Sequence, residues 1–330
     1  MRRFALSVIL TGTLSAIAAT AAQAEVPKVV VSIKPIHSLV ASVMRGVGEP
    51  TLLVRGGASP HSYTMKPSDA KALSAADLVV WVGPELESFL EKPLKANAPK
   101  ATRLTLMELK GLTLLETREG GAWEAHDHGH EAGHKGQDHK DHGHKGHDHK
   151  DHDHDGEHEE LNSHIWLDPA NARAIVKAAA EVLAAKDPAD AEAYRTNADR
   201  TLQQLDALDA ELKATLAPVK DKPFVVFHDA YQYFEARYDL SAVGSITVSP
   251  DRRPSAKRLS AIRAKIGGLG AACVFAEPQF EPALVQTVVE GTKAKTGVLD
   301  PEGAGLPEGE ALYPTLLRNL AASLRGCLGA

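Results

Sequence analysis

The chain has 330 residues, 24% of them charged and 43% hydrophobic, with a formal net charge of −6. That length and apolar content support a sizeable core, in one large domain or two modest ones. No basic patch interleaved with aromatics occurs, which excludes nucleic acid as a partner.

Residues 1–24 read as a targeting segment. Arg2 and Arg3 supply a positive start, residues 4–19 are apolar, and Ala22-Gln23-Ala24 offers an A-x-A site, so cleavage is expected after Ala24. The arginine pair also occurs in twin-arginine signals, but the remaining context fits Sec export. No cysteine lies there to take a lipid anchor, and no later apolar run reaches the ~18 to 20 residues that cross a bilayer. The mature chain is expected to be exported and soluble.

Short apolar runs then alternate with amphipathic stretches, the pattern of βαβ units and a parallel sheet. Strands are predicted at residues 29–33, 51–54, 78–82 and 103–106, and again at 224–227, 242–247, 273–276 and 297–299. Four and four suggest two similar α/β lobes, bounded at residues 25–188 and 218–330. Between them, residues 171–186 form an Ala-rich helix that Asp187-Pro188 punctuates. A second helix follows from residue 189 until Pro218, with Tyr194, Ala198, Leu202, Leu205, Leu208 and Leu212 on one face. At 1.5 Å per residue it spans about 40 Å, enough to run along both lobes as a stiff backbone.

Residues 124–160 interrupt the first lobe. They hold twelve of the 16 histidines: His126, His128, His130, His134, His139, His142, His144, His147, His149, His152, His154 and His158. With 12 acids and 4 lysines the segment carries −8; without it and the targeting segment, the body has 31 charges of each sign. A stretch lacking Val, Ile, Phe and Leu cannot bury a core and is expected to be disordered. Neutral imidazole is the commonest protein ligand for borderline transition metals, so the segment reads as a multidentate accessory for metal capture or buffering. It is an insertion rather than a domain boundary, because lengthening a loop tenfold costs only about 2 kcal/mol of closure entropy.

Outside it only His37, His61, His164 and His228 remain. His228 ends a strand (PFVVFHDAYQYF), His61 follows a strand through a Gly-rich turn (LLVRGGASPHSYTMKPSDA), and His164 sits in NSHIWLDP before the helical region. Ligands of open α/β sheets bind beyond the carboxyl ends of the strands. Two lobes facing one cleft can bring these three imidazoles together as a three-nitrogen metal site. His37, in KPIHSLV, reads as an early-helix residue without a ligand role. Asp300 (TGVLDPEG) follows the last strand and is a candidate fourth ligand, as is water. Glu277 (VFAEPQF) also ends a strand and can ligate or orient an imidazole through its other ring nitrogen. The two cysteines, Cys273 and Cys327, form an even pair in an exported chain, which favours a disulfide over two buried thiols.

The ordered segments ASPHSYTMKPSD, NSHIWLDPANA, VVFHDAYQYFEARY and CVFAEPQF, with a His/Asp run between the first two, resemble the periplasmic zinc-binding subunits of bacterial ABC zinc importers (the ZnuA type). The resemblance covers essentially the whole mature chain. It implies two (β/α)4 lobes joined by a long backbone helix, with Zn²⁺ held in the cleft by His61, His164 and His228. It also places Cys273 and Cys327 where some members have a disulfide. The implied protein is periplasmic, monomeric and not an enzyme. Its implied partners are an inner-membrane zinc ABC permease and zinc-donor proteins of the same compartment. Some zinc members have a glutamate before the first ligand histidine; here Pro60 cannot ligate. Manganese-binding relatives have a carboxylate where this chain has His228, and an all-imidazole trio suits a softer ion. Two other readings share the three histidines or the tract: a zinc hydrolase, for which no H-E-x-x-H or G-x-S-x-G motif is present, and a periplasmic zinc store or chaperone.

Overall fold

The computed structural model describes residues 25–118, 123, 160–247, 254–268, 270–280 and 283–329. The expected targeting segment and the twelve tract histidines lie outside them.

The first lobe contains β1 (Val29–Val31), α1 (Lys34–Met44), β2 (Thr51–Leu52), α2 (Pro67–Ser74), β3 (Leu78–Trp81), α3 (Glu91–Asn97) and β4 (Thr102–Thr105). Two helices follow, α4 (Pro169–Lys186) and α5 (Ala191–Leu216). The second lobe contains β5 (Phe224–Val226), α6 (Gln232–Tyr238), β6 (Ala242–Ser245), α7 (Ala256–Gly268), β7 (Cys273–Ala276), α8 (Ala283–Val289), β8 (Lys295–Val298) and α9 (Leu312–Leu328). All eight predicted strands are present, most of them a residue or two shorter than their apolar runs.

Both sheets are parallel, and their strand orders correspond: β2-β1-β3-β4 and β6-β5-β7-β8. In each, the chain reverses its direction of winding between the two central strands, so the crevice at their carboxyl ends is the natural binding position. Side chains alternate between faces, as strand geometry requires. Val29 and Val31 of β1 and Phe224 and Val226 of β5 point into one large core, together with residues of α1, α4, α5 and α9. Val30, Val79 and Trp81 form a separate core on the outer face of the first sheet, and Val225, Phe227 and Val274 do so on the second. Strands buried on both faces need uninterrupted apolar runs, which is why they were visible in the sequence.

The helical layer is shared by the two lobes. Asp168 caps α4 by accepting from the Ala170 N–H at 2.8 Å, with Pro169 in the first helical position. The α4–α5 corner is fixed by Tyr194, whose hydroxyl donates to the buried Asp187 carboxylate at 3.0 Å. The 26 residues of α5 bury Tyr194, Ala198, Leu205, Leu208, Leu212 and Leu216 against α4, α1 and α9. Cys273 of β7 is disulfide-bonded to Cys327 of α9, tying the last helix to a central strand of the second sheet.

Candidate metal centre

His228 stands two residues beyond β5, at the crevice of the second sheet, and is buried. His164 immediately precedes a 3-10 turn, Ile165–Leu167, that leads into α4, and is also buried. His61 lies on the loop after β2. That loop is pinned by Tyr63, whose hydroxyl reaches both the Leu53 carbonyl at 3.2 Å and the Asp69 carboxylate at 2.8 Å. Asp69 in turn accepts from the Lys66 N–H at the start of α2, so the loop's return is as fixed as its departure.

The three rings converge, with centroids 5.1–5.7 Å apart. His164 Nε2 lies 3.3 Å from His61 Nε2 and 3.2 Å from His228 Nε2, and the three ligand atoms lie within 4.8 Å of one another. Among the described residues this is the one group of three or more metal-ligating side chains so arranged. Two of the rings have their tautomers set from behind. Glu277, next after β7, accepts from His228 Nδ1 at 2.8 Å. Asn162 Oδ1 accepts from His164 Nδ1 at 2.9 Å and from the His164 backbone N–H at 3.0 Å. The Asn162 amide nitrogen donates to the Asp229 carbonyl at 2.8 Å and to Gln232 Oε1 at 3.0 Å, which fixes its orientation. With the protons on Nδ1, the Nε2 lone pairs of both rings face the common centre. His61, at the partly exposed edge, has no such partner among the described residues.

Electrostatics favour neutral rings at His164 and His61. Burial, reinforced by the neighbouring imidazoles, holds His164 well below the ordinary histidine range. Burial and the proximity of His228 push His61 down to about 3. A cation entering therefore meets unprotonated donors at His61 and His164.

Glu277 orients His228 rather than standing in the ligand group. Asp300 is not in that group either: its oxygens accept from the backbone N–H of Glu302, Gly303 and Ala304 at 3.1, 2.9 and 2.7 Å and from Gln279 at 3.0 Å. This carboxylate caps the loop that leaves β8. From the other side, the buried Lys34 ammonium donates to the carbonyls of Gly303, Ala304 and Leu306 at 2.7, 3.1 and 2.7 Å, a geometry that Gly303 permits with φ +70°. His37 is buried in α1, with Nε2 2.9 Å from the Pro50 carbonyl, and it belongs to no group of three metal-ligating side chains among the described residues. The residues that sequence reasoning missed are Asn162, Gln232, Arg118 and Lys34. Only Asn162 left a signal, a hydrogen-bonding side chain two positions before His164.

A cavity of about 330 Å³ opens over the trio, lined among others by Arg118, Trp123, Glu160 and Ser245. The body segments flanking residues 119–159 meet at its rim. Thr117 N–H donates to the Glu160 carbonyl at 2.8 Å, and Glu116 and Leu161 form an antiparallel bridge.

The family model for the periplasmic zinc-uptake complex component A, ZnuA, matches residues 29–327. The chain belongs to the ZnuA family. The high-affinity zinc uptake system protein ZnuA of Brucella abortus (strain 2308) is 52% identical over 304 residues, covering 91% of each chain. A solved structure described as the crystal structure of ZnuA superposes with a TM-score of 0.73 at 24% identity, covering 92% of this chain and all of its own. The solute-binding protein FpvC of Pseudomonas aeruginosa, solved with Mn²⁺, has a TM-score of 0.72 at 21% identity, covering 92% of this chain and 99% of its own.

Proposed function

We propose that this ZnuA-family chain captures Zn²⁺ in the periplasm through His61, His164 and His228 and delivers it to an inner-membrane ABC permease. The observation that carries the reading is the convergence of three imidazole nitrogens within 4.8 Å, two with tautomers fixed by Asn162 and Glu277. Three imidazole nitrogens suit Zn²⁺ better than the carboxylate-rich sets that favour manganese. Solvent takes the fourth position, because Asp300 is occupied by backbone N–H groups. The name shared by the curated relatives supports zinc uptake.

Residues 1–24 direct export and are removed after Ala24. No helix among the described residues is long and apolar enough to cross a membrane. The histidine-rich segment acts as an accessory that gathers metal beside the cleft, a role that the meeting of its flanks at the cavity rim supports. The chain works by binding and release rather than by catalysis.

A competitive chelator titration of the mature protein and of a variant lacking residues 124–160 tests the reading. One tight zinc site should survive the deletion while several weaker ones vanish. Loss of the tight site with the segment would overturn the assignment to the three histidines.

A further inference from the structure

We propose that Arg118 is a positioning residue of the metal centre, fastening the first-lobe segment that holds His164 to the second-lobe segment that holds His228. The inference rests on those histidines being the metal ligands.

Arg118 follows the short antiparallel pairing of residues 115–117 with residues 160–162. From there its guanidinium crosses to the second lobe. Nε donates to Asp229 Oδ2 at 2.9 Å and Nη2 to Asp229 Oδ1, while Nη1 reaches Glu235 Oε2 at 2.6 Å and Nη2 reaches Glu235 Oε1 at 3.1 Å. Trp123 covers the planar cation at 3.6 Å. One rigid fork thus serves two carboxylates and an aromatic face, which a lysine ammonium cannot do.

The location gives the clasp its consequence. Asp229 is bonded directly to His228, and Glu235 is a buried residue of α6. The Asp229 carbonyl also receives Asn162, the residue that orients His164. Gln232 closes the circuit by donating to the Glu116 carbonyl at 2.9 Å. His164 and His228 therefore stand on opposite sides of one polar network spanning the two lobes, with the Arg118 guanidinium bridging it. Without the guanidinium, two neighbouring carboxylates face each other beside a ligand histidine, and the strand end carrying His228 loses the charged one of its ties to the first lobe.

The test compares Arg118→Lys and the charge-neutral triple variant Arg118→Gln/Asp229→Asn/Glu235→Gln with wild-type mature protein. The triple variant guards against misfolding caused by an unpaired buried charge. Folding is checked by circular dichroism, zinc dissociation is followed by transfer to excess chelator, and Co²⁺ serves as a spectroscopic probe. Expected are folded proteins that release zinc about tenfold faster or more, with altered Co²⁺ ligand-field bands, because groups that orient ligands typically govern metal affinity by 10–100-fold. A folded Arg118→Lys or triple variant with wild-type release and a wild-type Co²⁺ spectrum would overturn the inference. His164→Ala separates the two levels. If that variant binds zinc as wild type does, the reading of the three histidines fails; if it loses zinc while Arg118→Lys does not, only the clasp fails.

Discussion

At the residue scale, the proposed metal centre depends as much on what stands behind the imidazoles as on the imidazoles themselves. Glu277→Ala and Asn162→Ala should each weaken zinc binding by about 10–100-fold in chelator competition. Glu277→Gln should lose much less, since its amide oxygen can still accept from His228 Nδ1. A pH dependence follows from the depressed histidines. Below their folded range, His61 and His164 take up protons that the folded site resists, whereas in the unfolded chain they do so near 6.5. The unfolded state therefore binds more protons as pH falls through 6.5, and the apo protein loses up to about 1.4 kcal/mol per histidine per pH unit below that point, His61 less because it is partly exposed. Above 6.5 these two groups contribute no slope. Zinc should respond with the opposite emphasis. His61 and His164 stay unprotonated well below 6.5 and should keep their hold on the metal, while imidazoles of the accessory segment with the free-histidine value near 6.5 would release theirs near that pH. A zinc-release titration from pH 7 downward should show the weak sites emptying first, and simultaneous release would contradict the picture.

At the element scale, two features of the second sheet carry measurable stability. The Cys273–Cys327 bond closes a separation of 54 residues between β7 and α9. On chain-entropy grounds, replacing both cysteines by serine should cost about 4 kcal/mol, read as a lower thermal midpoint of the metal-free protein. Gly297 in β8 is there for want of space: a Cβ would sit 2.5 Å from the Phe275 ring, itself fully buried and packed edge-on against Phe224. Gly297→Ala should destabilise by about 1–3 kcal/mol in denaturant unfolding. The elements themselves were largely legible beforehand, because strands such as β1, β3, β5 and β7 are buried on both faces and must be apolar throughout. The long helix was legible too, although it begins at Ala191 rather than residue 189. The strand order was not, since nothing local distinguishes β1 at the centre from β2 at the edge. Nor was the fate of Asp300. A carboxylate after a strand reads equally as a ligand or a loop cap, and only the three-dimensional position of the Glu302, Gly303 and Ala304 amides decides. Arg118 and Gln232 escaped notice for the same reason: their meaning lies in partners more than a hundred residues away.

At the scale of the whole molecule, the two lobes are less separate than their matching sheets suggest. The inner faces of β1, β3, β5 and β7 share one core with α1, α4, α5 and α9, so wide opening would expose buried apolar surface. Small-angle scattering should therefore give indistinguishable radii of gyration for zinc-free and zinc-loaded protein lacking residues 124–160, whereas a clear contraction on loading would show that the shared core yields. The pairing of Thr117 with Glu160 has a different consequence. Because the flanks of the histidine-rich segment are held together by the body itself, the covalent thread between them is dispensable to the architecture. A protease cutting within that segment should yield two polypeptides that run apart in denaturing gels yet co-elute in native buffer, a nicked heterodimer that still chelates zinc.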